Sequence, residues 1–477
     1  MSGGLVFLLL FIAIIATSCY IYLQNARRAV TRDSFLVAEW KLPLSIGAIT
    51  VAATWVQAPA LLFSGQQAYA SVIHFASFWI PNVAALVVAA LLVVKIRERL
   101  PKGYTVPQFM GAVFGDNVRW LSFMLAFATL VLAVGYTLIG MRLWLSPQLG
   151  LPAWQIALLL GTAAIAWVLP TGLPGAISGD RVKLTVIGIG VVGVMALWLY
   201  WSSGTPMTPN AAPSAIPFGS WWVVWAIGIP LSASLVGGPI CNCDLGERFF
   251  AVDSSVTRRA YLYAAGIFGF VVLCFGSLGF LARHIGVPVG TELVAFKLLA
   301  ASAPSSVVIV VTVCLAIILA TALASFIASA GNLLTVELFN RMRPTATQQQ
   351  SVIASRVVMI VPIVFGTIVA SQEQVDIGTL LRALAVVRGE MIIPIILAAF
   401  YPTAFPGRSV LIGMFTGLIG GVALTYGAMI SKNFFGTSLP FLEYNGAPLG
   451  AIVAVMAPLV VCVIGAHNEK RVGIPTI

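Results

Sequence analysis

The stretch Ala52-Ala53-Thr54-Trp55-Val56-Gln57-Ala58-Pro59 decides how this chain folds. It lies inside an apolar run, residues 43–64. That run can cross a bilayer, since a spanning helix needs about 20 mostly apolar residues. Pro59 removes a backbone donor, and its ring clashes with the preceding turn. The helix is therefore expected to break about one turn after Thr54 and Trp55. Irregular backbone at membrane depth is tolerated only where it is buried in protein or lines a cavity. Thr54, Trp55, Gln57, Gln66 and Gln67 gather around this break. Carbonyl and hydroxyl oxygens at such a point suit a hard cation such as Na⁺.

The rest of the chain supplies the setting. Of 477 residues only 9% are charged and 60% are hydrophobic, and mean hydropathy is +1.02. A soluble chain is about 25% charged. This composition excludes a soluble enzyme, a disulfide scaffold and a disordered chain. It predicts an all-α polytopic membrane protein with thirteen spans. They fall at 4–24, 43–64, 71–95, 118–144, 152–170, 182–202, 217–242, 260–284, 305–338, 352–370, 377–401, 408–430 and 446–466.

The net charge of +11 follows from topology. Alternate loops hold 20 and 4 of the 26 Lys and Arg residues, and Arg382 and Arg388 fall inside a span. The positive-inside rule then places the N-terminus outside and the C-terminus inside a cytoplasmic (plasma) membrane. The first run lacks a basic leader and reads as a retained helix rather than a cleaved signal. The expected partners are the lipid bilayer and a small-molecule solute, with no nucleic acid. Nothing in the sequence indicates an oligomeric state. The six cysteines sit mostly in apolar runs, and Cys241-Asn242-Cys243 has neither zinc-site spacing nor an accompanying His. No nucleophile–base set and no phosphate loop is present, so the chain is not read as an enzyme. Gly413, Gly417 and Gly421 have the spacing of close helix packing.

A second interrupted span, the seventh, reads Gly228-Ile229-Pro230 and then Gly237-Gly238-Pro239. Spans two and seven are five apart. Matching interrupted segments in two halves point to a transporter binding site. Five is odd, so the halves would be inverted. This divides the chain into a peripheral helix and loop (1–41), a first five-helix repeat (42–205), a second (206–403), and two C-terminal helices with a short tail (404–477).

Four stretches together resemble the sodium/solute symporter family. Asp33 to Ala38, then Lys41-Leu42-Pro43 through Thr54-Trp55-Val56 to Tyr69, look like its leader and first core helix. Thr171-Gly172-Leu173 to Asp180 looks like its Gly-Gly-Leu…Thr-Asp-Val segment. Asp244 through Glu247-Arg248, followed by Arg258-Arg259-Ala260, looks like its Gln-Arg…Ala-Arg-Arg-Ala loop. Thr321 to Ser325, continuing to Phe339, looks like its eighth core helix. The resemblance implies a LeuT-like five-plus-five inverted repeat. It also implies a sodium site formed by the carbonyls of Ala53, Val56 and Ile318 and the hydroxyl of Thr321. Ala322 departs from the pattern, having no hydroxyl. A second cation site would use Asp180 and Ser325, where Ala324 likewise has no oxygen to give. For Asp180 a surface ion pair with Arg181 or Lys183 is the plain alternative. No organic cofactor is expected.

Trp55 stands where the family's choline transporters have Trp, and a Trp face attracts quaternary ammonium. The sugar branch has Asn there and Glu near position 79, where this chain has Trp55 and Trp79. Span eleven carries Arg388 and Glu390 at depth, and an ionisable residue inside a span is a functional candidate. Two residues apart on a helix, they do not face each other. Arg388 is suited to clamping a carboxylate. The substrate-binding candidates are thus Thr54, Trp55, Gln57, Trp225, Arg388 and Glu390. The expected function is Na⁺-coupled symport of a small anionic or zwitterionic solute by alternating access. Proton-coupled or uncoupled transport, a membrane sensor acting with a separate partner, and a channel are the alternatives.

Overall fold

The computed structural model describes residues 3–204, 220–285, 293, 298, 304–372, 375–435 and 439–472. Among these the chain is all helical, with one isolated backbone bridge between Leu42 and Val252. Eleven helices are long and apolar enough to span, and one bent pair makes a twelfth. The expected fifth span is Ala153–Val168, 16 residues, which is short for a crossing, so length alone does not support thirteen. The junction of the two expected repeats, at 205 and 206, lies outside the described residues.

The helices that position the site are α1 (Gly3–Asn25), α2 (Leu44–Trp55), α3 (Ser64–Ala70), α4 (Val72–Arg99), α5 (Asp116–Leu149), α6 (Ala153–Val168) and α7 (Leu173–Gly204). They continue with α8 (Ile229–Cys241), α9 (Cys243–Ala251), α10 (Thr257–Ile285), α11 (Ser305–Leu334), α12 (Gln348–Val358) and α13 (Val361–Ser371). The last three are α14 (Ile377–Phe400), α15 (Gly407–Thr425) and α16 (Pro440–Val472). Helices α5 and α14 are the most enclosed, whereas α1, α7, α15 and α16 turn most of their surface outward. Outward side chains such as Phe11, Leu158, Leu199 and Ile419 are large and apolar, as lipid contact demands.

The break expected at Pro59 is present. Helix α2 ends at Trp55, Val56 turns to an extended conformation (φ −74°, ψ 91°), and the chain resumes in a wide turn at Pro59–Phe63. The two pieces meet at 67°. Span seven is interrupted in two places. A wide turn occupies Val224–Gly228, directly before Ile229-Pro230; helix α8 then runs through Pro239, and the chain breaks at Asn242 (φ −68°, ψ 120°), before the short buried helix α9. Gly237 and Gly238 serve close approach instead. A methyl group on Gly237 would lie 2.4 Å from the Arg388 carbonyl oxygen, and one on Gly238 would lie 2.3 Å from the Trp55 ring. The two broken segments are tied at the cation-rich end. Leu42 N–H donates to the Ala251 oxygen and Asp253 N–H to the Leu42 oxygen, each at 3.0 Å. Gly413, Gly417 and Gly421 face α16 and α14, which they approach closely.

The contact at Gly237 yields a test. Overpacking a close-packed site costs about 1–3 kcal/mol, and a backbone carbonyl cannot swing aside. Gly237→Ala is therefore expected to lower the thermal unfolding midpoint. Gly193→Ala, whose methyl meets nothing within 4 Å, is expected to leave it unchanged or raise it slightly. Thermal unfolding of both variants in the same detergent checks this.

Candidate functional site

Four helices converge on one carboxylate. Asp180 sits in α7 with no exposed surface. Helix α7 starts at Leu173 rather than near 182, so Asp180 lies within its third turn and not in a surface loop. Its ionic partner is Arg248 of α9, at 2.8 Å from Nη2 to Oδ2, also with no exposed surface. The hydroxyl of Thr50 donates to Asp180, joined by those of Ser325 at 3.3 Å and Thr54 at 3.4 Å. Arg248 Nε donates to Thr50 Oγ1 at 3.0 Å, Nη2 to Ser325 Oγ at 3.3 Å, and Nη1 to the Asp244 backbone oxygen at 2.5 Å. A buried ion pair persists only when its remaining donors and acceptors are satisfied. Here α2, α7, α9 and α11 each supply a group. One turn after Asp244 on α9, the Glu247 carboxylate is buried and accepts from Ser329 at 3.0 Å.

The sequence candidates for a first cation site flank this pair. Ala53 and Val56 are fully buried at the end of α2. Thr321 of α11 donates its hydroxyl to the Ile317 and Ile318 carbonyls of its own helix, each at 2.9 Å. Ala322 and Ala324 are buried and contribute no polar side-chain atom. Lys183 of α7 is fully buried, and its Nζ has no hydrogen-bond partner among the described residues. No group of three or more His, Cys, Asp and Glu able to hold a metal occurs among the described residues.

A cavity of about 430 Å³ opens at the cation-poor end, with Gln66, Gln67, Trp222, Asp376, Arg382 and Glu443 in its wall. Leu381 also lines it, and beneath Leu381 lies a second space of about 20 Å³ bounded by Trp55, Gln57, Asn82, Tyr136 and Arg388. A further cleft, about 540 Å³, is an apolar groove between α7 and α11. Its wall includes Ile189 and Val310, both mostly exposed, so it faces lipid.

Trp55, Gln57 and Arg388 thus share one pocket. Thr54 points to Asp180 instead. Trp225 is half-buried and donates to Asn445 Oδ1 of α16 at 3.0 Å. Glu390 faces α15, where a methyl group on Gly417 would lie 2.5 Å from its Oε2. Arg388 Nη1 reaches the Ser234 carbonyl only at 3.4 Å. Arg388 Nε and Nη2 and Trp55 Nε1 are buried without an acceptor among the described residues.

The pocket and the ion pair are connected. Tyr136 donates to Gln57 Oε1, and Gln57 Nε2 donates to Asp244 Oδ2 at 3.1 Å. The Asp244 backbone oxygen then accepts from Arg248. Sequence reading missed Tyr136 and Asn82 as pocket residues, and the link through Asp244 and Arg248. Tyr136 lies in an apolar run with no breaker to mark it. Asp244 and Arg248 read as a loop, although their i, i+4 spacing was a helical signal.

No protein-family profile matches the sequence, and no characterised protein matches it by sequence. Solved structures do match in fold. A substrate-bound, outward-open Na⁺-coupled sialic acid symporter aligns over 97% of this chain and 98% of its own, at 15% identity and a TM-score of 0.74. Mhp1, a nucleobase-cation-symport-1 family transporter, aligns in a closed, ligand-bound conformation over 91% and 97%, at 15% identity and a TM-score of 0.54. Its inward-facing form gives 13% identity and a TM-score of 0.50. The chain therefore has the LeuT-type fold of secondary transporters.

Removing one partner of a buried ion pair costs about 3–5 kcal/mol. Arg248→Gln is accordingly expected to lower thermal stability strongly. Arg248→Lys should fail to restore it, because a point charge cannot serve Thr50, Ser325, Asp180 and the Asp244 carbonyl at once. Thermal unfolding of the two variants beside the wild type checks both statements.

Proposed function

We propose that this chain is a secondary active transporter that moves a small carboxylate-bearing solute, anionic or zwitterionic, by alternating access. One observation carries the reading. Arg388 Nε, Arg388 Nη2 and Trp55 Nε1 belong to side chains lining one small pocket, buried and without a hydrogen-bond acceptor among the described residues, with the Tyr136 hydroxyl near the guanidinium. A pocket with surplus donors selects a solute with surplus acceptors, and Arg grips a carboxylate through two parallel hydrogen bonds. The cavity above bears both signs, Asp376 and Glu443 with Arg382, which accommodates a zwitterion as well as an anion.

The solute would enter from the cation-poor side, taken as the outside by the positive-inside rule. The other end is closed. Arg97 donates to the Phe250 carbonyl at 3.0 Å, Arg99 to the Ala399 carbonyl at 3.1 Å, and Arg119 pairs with Glu337 at 2.7 Å. This supports an outward-facing arrangement in a cytoplasmic membrane. Two readings of the energy source remain distinct. Na⁺ coupling is supported by the resemblance, by the Na⁺-coupled neighbour, and by Ala53, Val56, Ile318 and Thr321 as the oxygens that would hold the ion. Sodium-independent transport is supported by Lys183, buried beside those same helices.

The solute reading is tested by thermal stability across amino acids, mono- and dicarboxylates, choline, sugars and urea. A ligand at a hundred times its Kd stabilises by about 2.7 kcal/mol. Carboxylates are expected to raise the midpoint, and choline, sugars and urea to leave it unchanged. Arg388→Gln is expected to retain folded yield and lose the carboxylate shift. A shift of undiminished size in that variant would remove Arg388 from the solute site.

A further inference from the structure

Lys183 is a buried basic side chain whose place in the junction says more than that sodium-independent transport is open. It lies three residues after Asp180 and four after Gly179, so all three share one face of α7. That face looks onto α2 and α11. A methyl group on Gly179 would sit 3.5 Å from Thr321 Cγ2, and Asp180 accepts from Thr50 and Thr54 of α2 and Ser325 of α11. Lys183 therefore stands one turn toward the cation-poor end from the Asp180–Arg248 pair. On α2, the same advance leads from Thr50 to Ala53 and Val56. On antiparallel α11, it leads from Ser325, which touches both members of the pair, to Thr321 and Ala322. Ala53, Val56 and Thr321 are among the residues whose oxygens would hold the first cation.

The ammonium there is fully buried and makes no hydrogen bond among the described residues. It shares the field of Asp180 and Asp244 with Arg248. The oxygen supply around it is thin. Ala322 and Ala324 stand at positions where the resemblance calls for hydroxyls, and the Thr321 hydroxyl already donates to its own helix. A free sodium ion would enter a junction that already holds two basic side chains, Lys183 and Arg248, beside Asp180 and Asp244, at a first site with one hydroxyl fewer than the resemblance calls for. We infer that Lys183 is the resident cation of the α2–α7–α11 junction, its ammonium taking the position of the sodium ion, so that the transporter binds and encloses its solute without sodium. This rests on the transporter reading for its meaning but not for its test, which needs no solute.

The experiment uses the purified full chain and sodium chloride alone, compared with potassium chloride at equal ionic strength. The wild type is expected to unfold at the same temperature in both salts. Lys183→Ala removes the charge and opens its space, and is expected to gain a sodium-specific rise of about 2–4 °C. Lys183→Arg keeps the charge and is expected to stay indifferent. Should the alanine variant fail to fold, Lys183→Gln, neutral and similar in length, takes its place. A sodium-specific rise in the wild type overturns the inference, as does a folded Lys183→Ala or Lys183→Gln that ignores sodium. A carboxylate shift of equal size in both salts supports the inference. The absence of any carboxylate shift would sink the solute reading and leave the sodium result standing.

Discussion

Charge removed from water must be answered by protein, and in this molecule the answer is centred on Asp180 and Arg248. Both are without exposed surface. Their mutual attraction alone does not repay the loss of hydration; the remaining lone pairs and N–H groups must also be satisfied. Thr50 and Thr54 do this from α2, Ser325 from α11 and the Asp244 carbonyl from α9. The ion pair thereby sets where four helices meet. The break at Val56 lies less than one turn from Thr54, so the freed backbone of α2 is held beside the pair. The second break, at Asn242, immediately precedes the helix that carries Arg248. Both irregular segments are thus placed by one electrostatic requirement.

How much of this was legible depended on the kind of signal each residue carried. Pro59 announced the first break because proline acts locally, through its own ring and missing N–H. Arg388 announced itself by cost, since charge within an apolar run demands an explanation, whereas Asp180, outside the expected sixth span, was reached only through the resemblance. What could not be read was direction. Helix α14 is apolar nearly all round, so no periodic stripe tells which face meets the cavity. Arg388 and Glu390 therefore looked alike in sequence yet point to the pocket and to α15 respectively. Gly237 and Gly238 were read as breakers because glycine weakens a helix. Their real use, letting Arg388's backbone and the Trp55 ring come close, depends on neighbours more than a hundred residues away. The start of α7 was misjudged for a related reason. Arg181 and Lys183 resembled a cationic loop, and only tertiary burial shows them within a helix.

The packing also limits how a solute can be admitted. A space of about 20 Å³ beneath Leu381 is close to the minimum for one water. Room for a solute must come from movement of a wall. The α8–α14 wall is poorly suited, because backbone lies against backbone where Gly237 meets Arg388. The opposite wall is built from the end of α2, the irregular Val56-Gln57 link and the wide turn at Pro59–Phe63. Such wide turns recur at functional points of helices, and this one has no regular ladder to lose. Displacing that wall moves Trp55 off Gly238 and carries Gln57 with it. Gln57 is held on one side by Tyr136, at the pocket, and on the other by Asp244, whose carbonyl binds Arg248. On the proposed transport reading, admission of solute and disturbance of the charged junction would then be one mechanical event. A ligand can bias an equilibrium only by its differential affinity for the two states, and this linkage is the element through which a carboxylate at Arg388 would supply it.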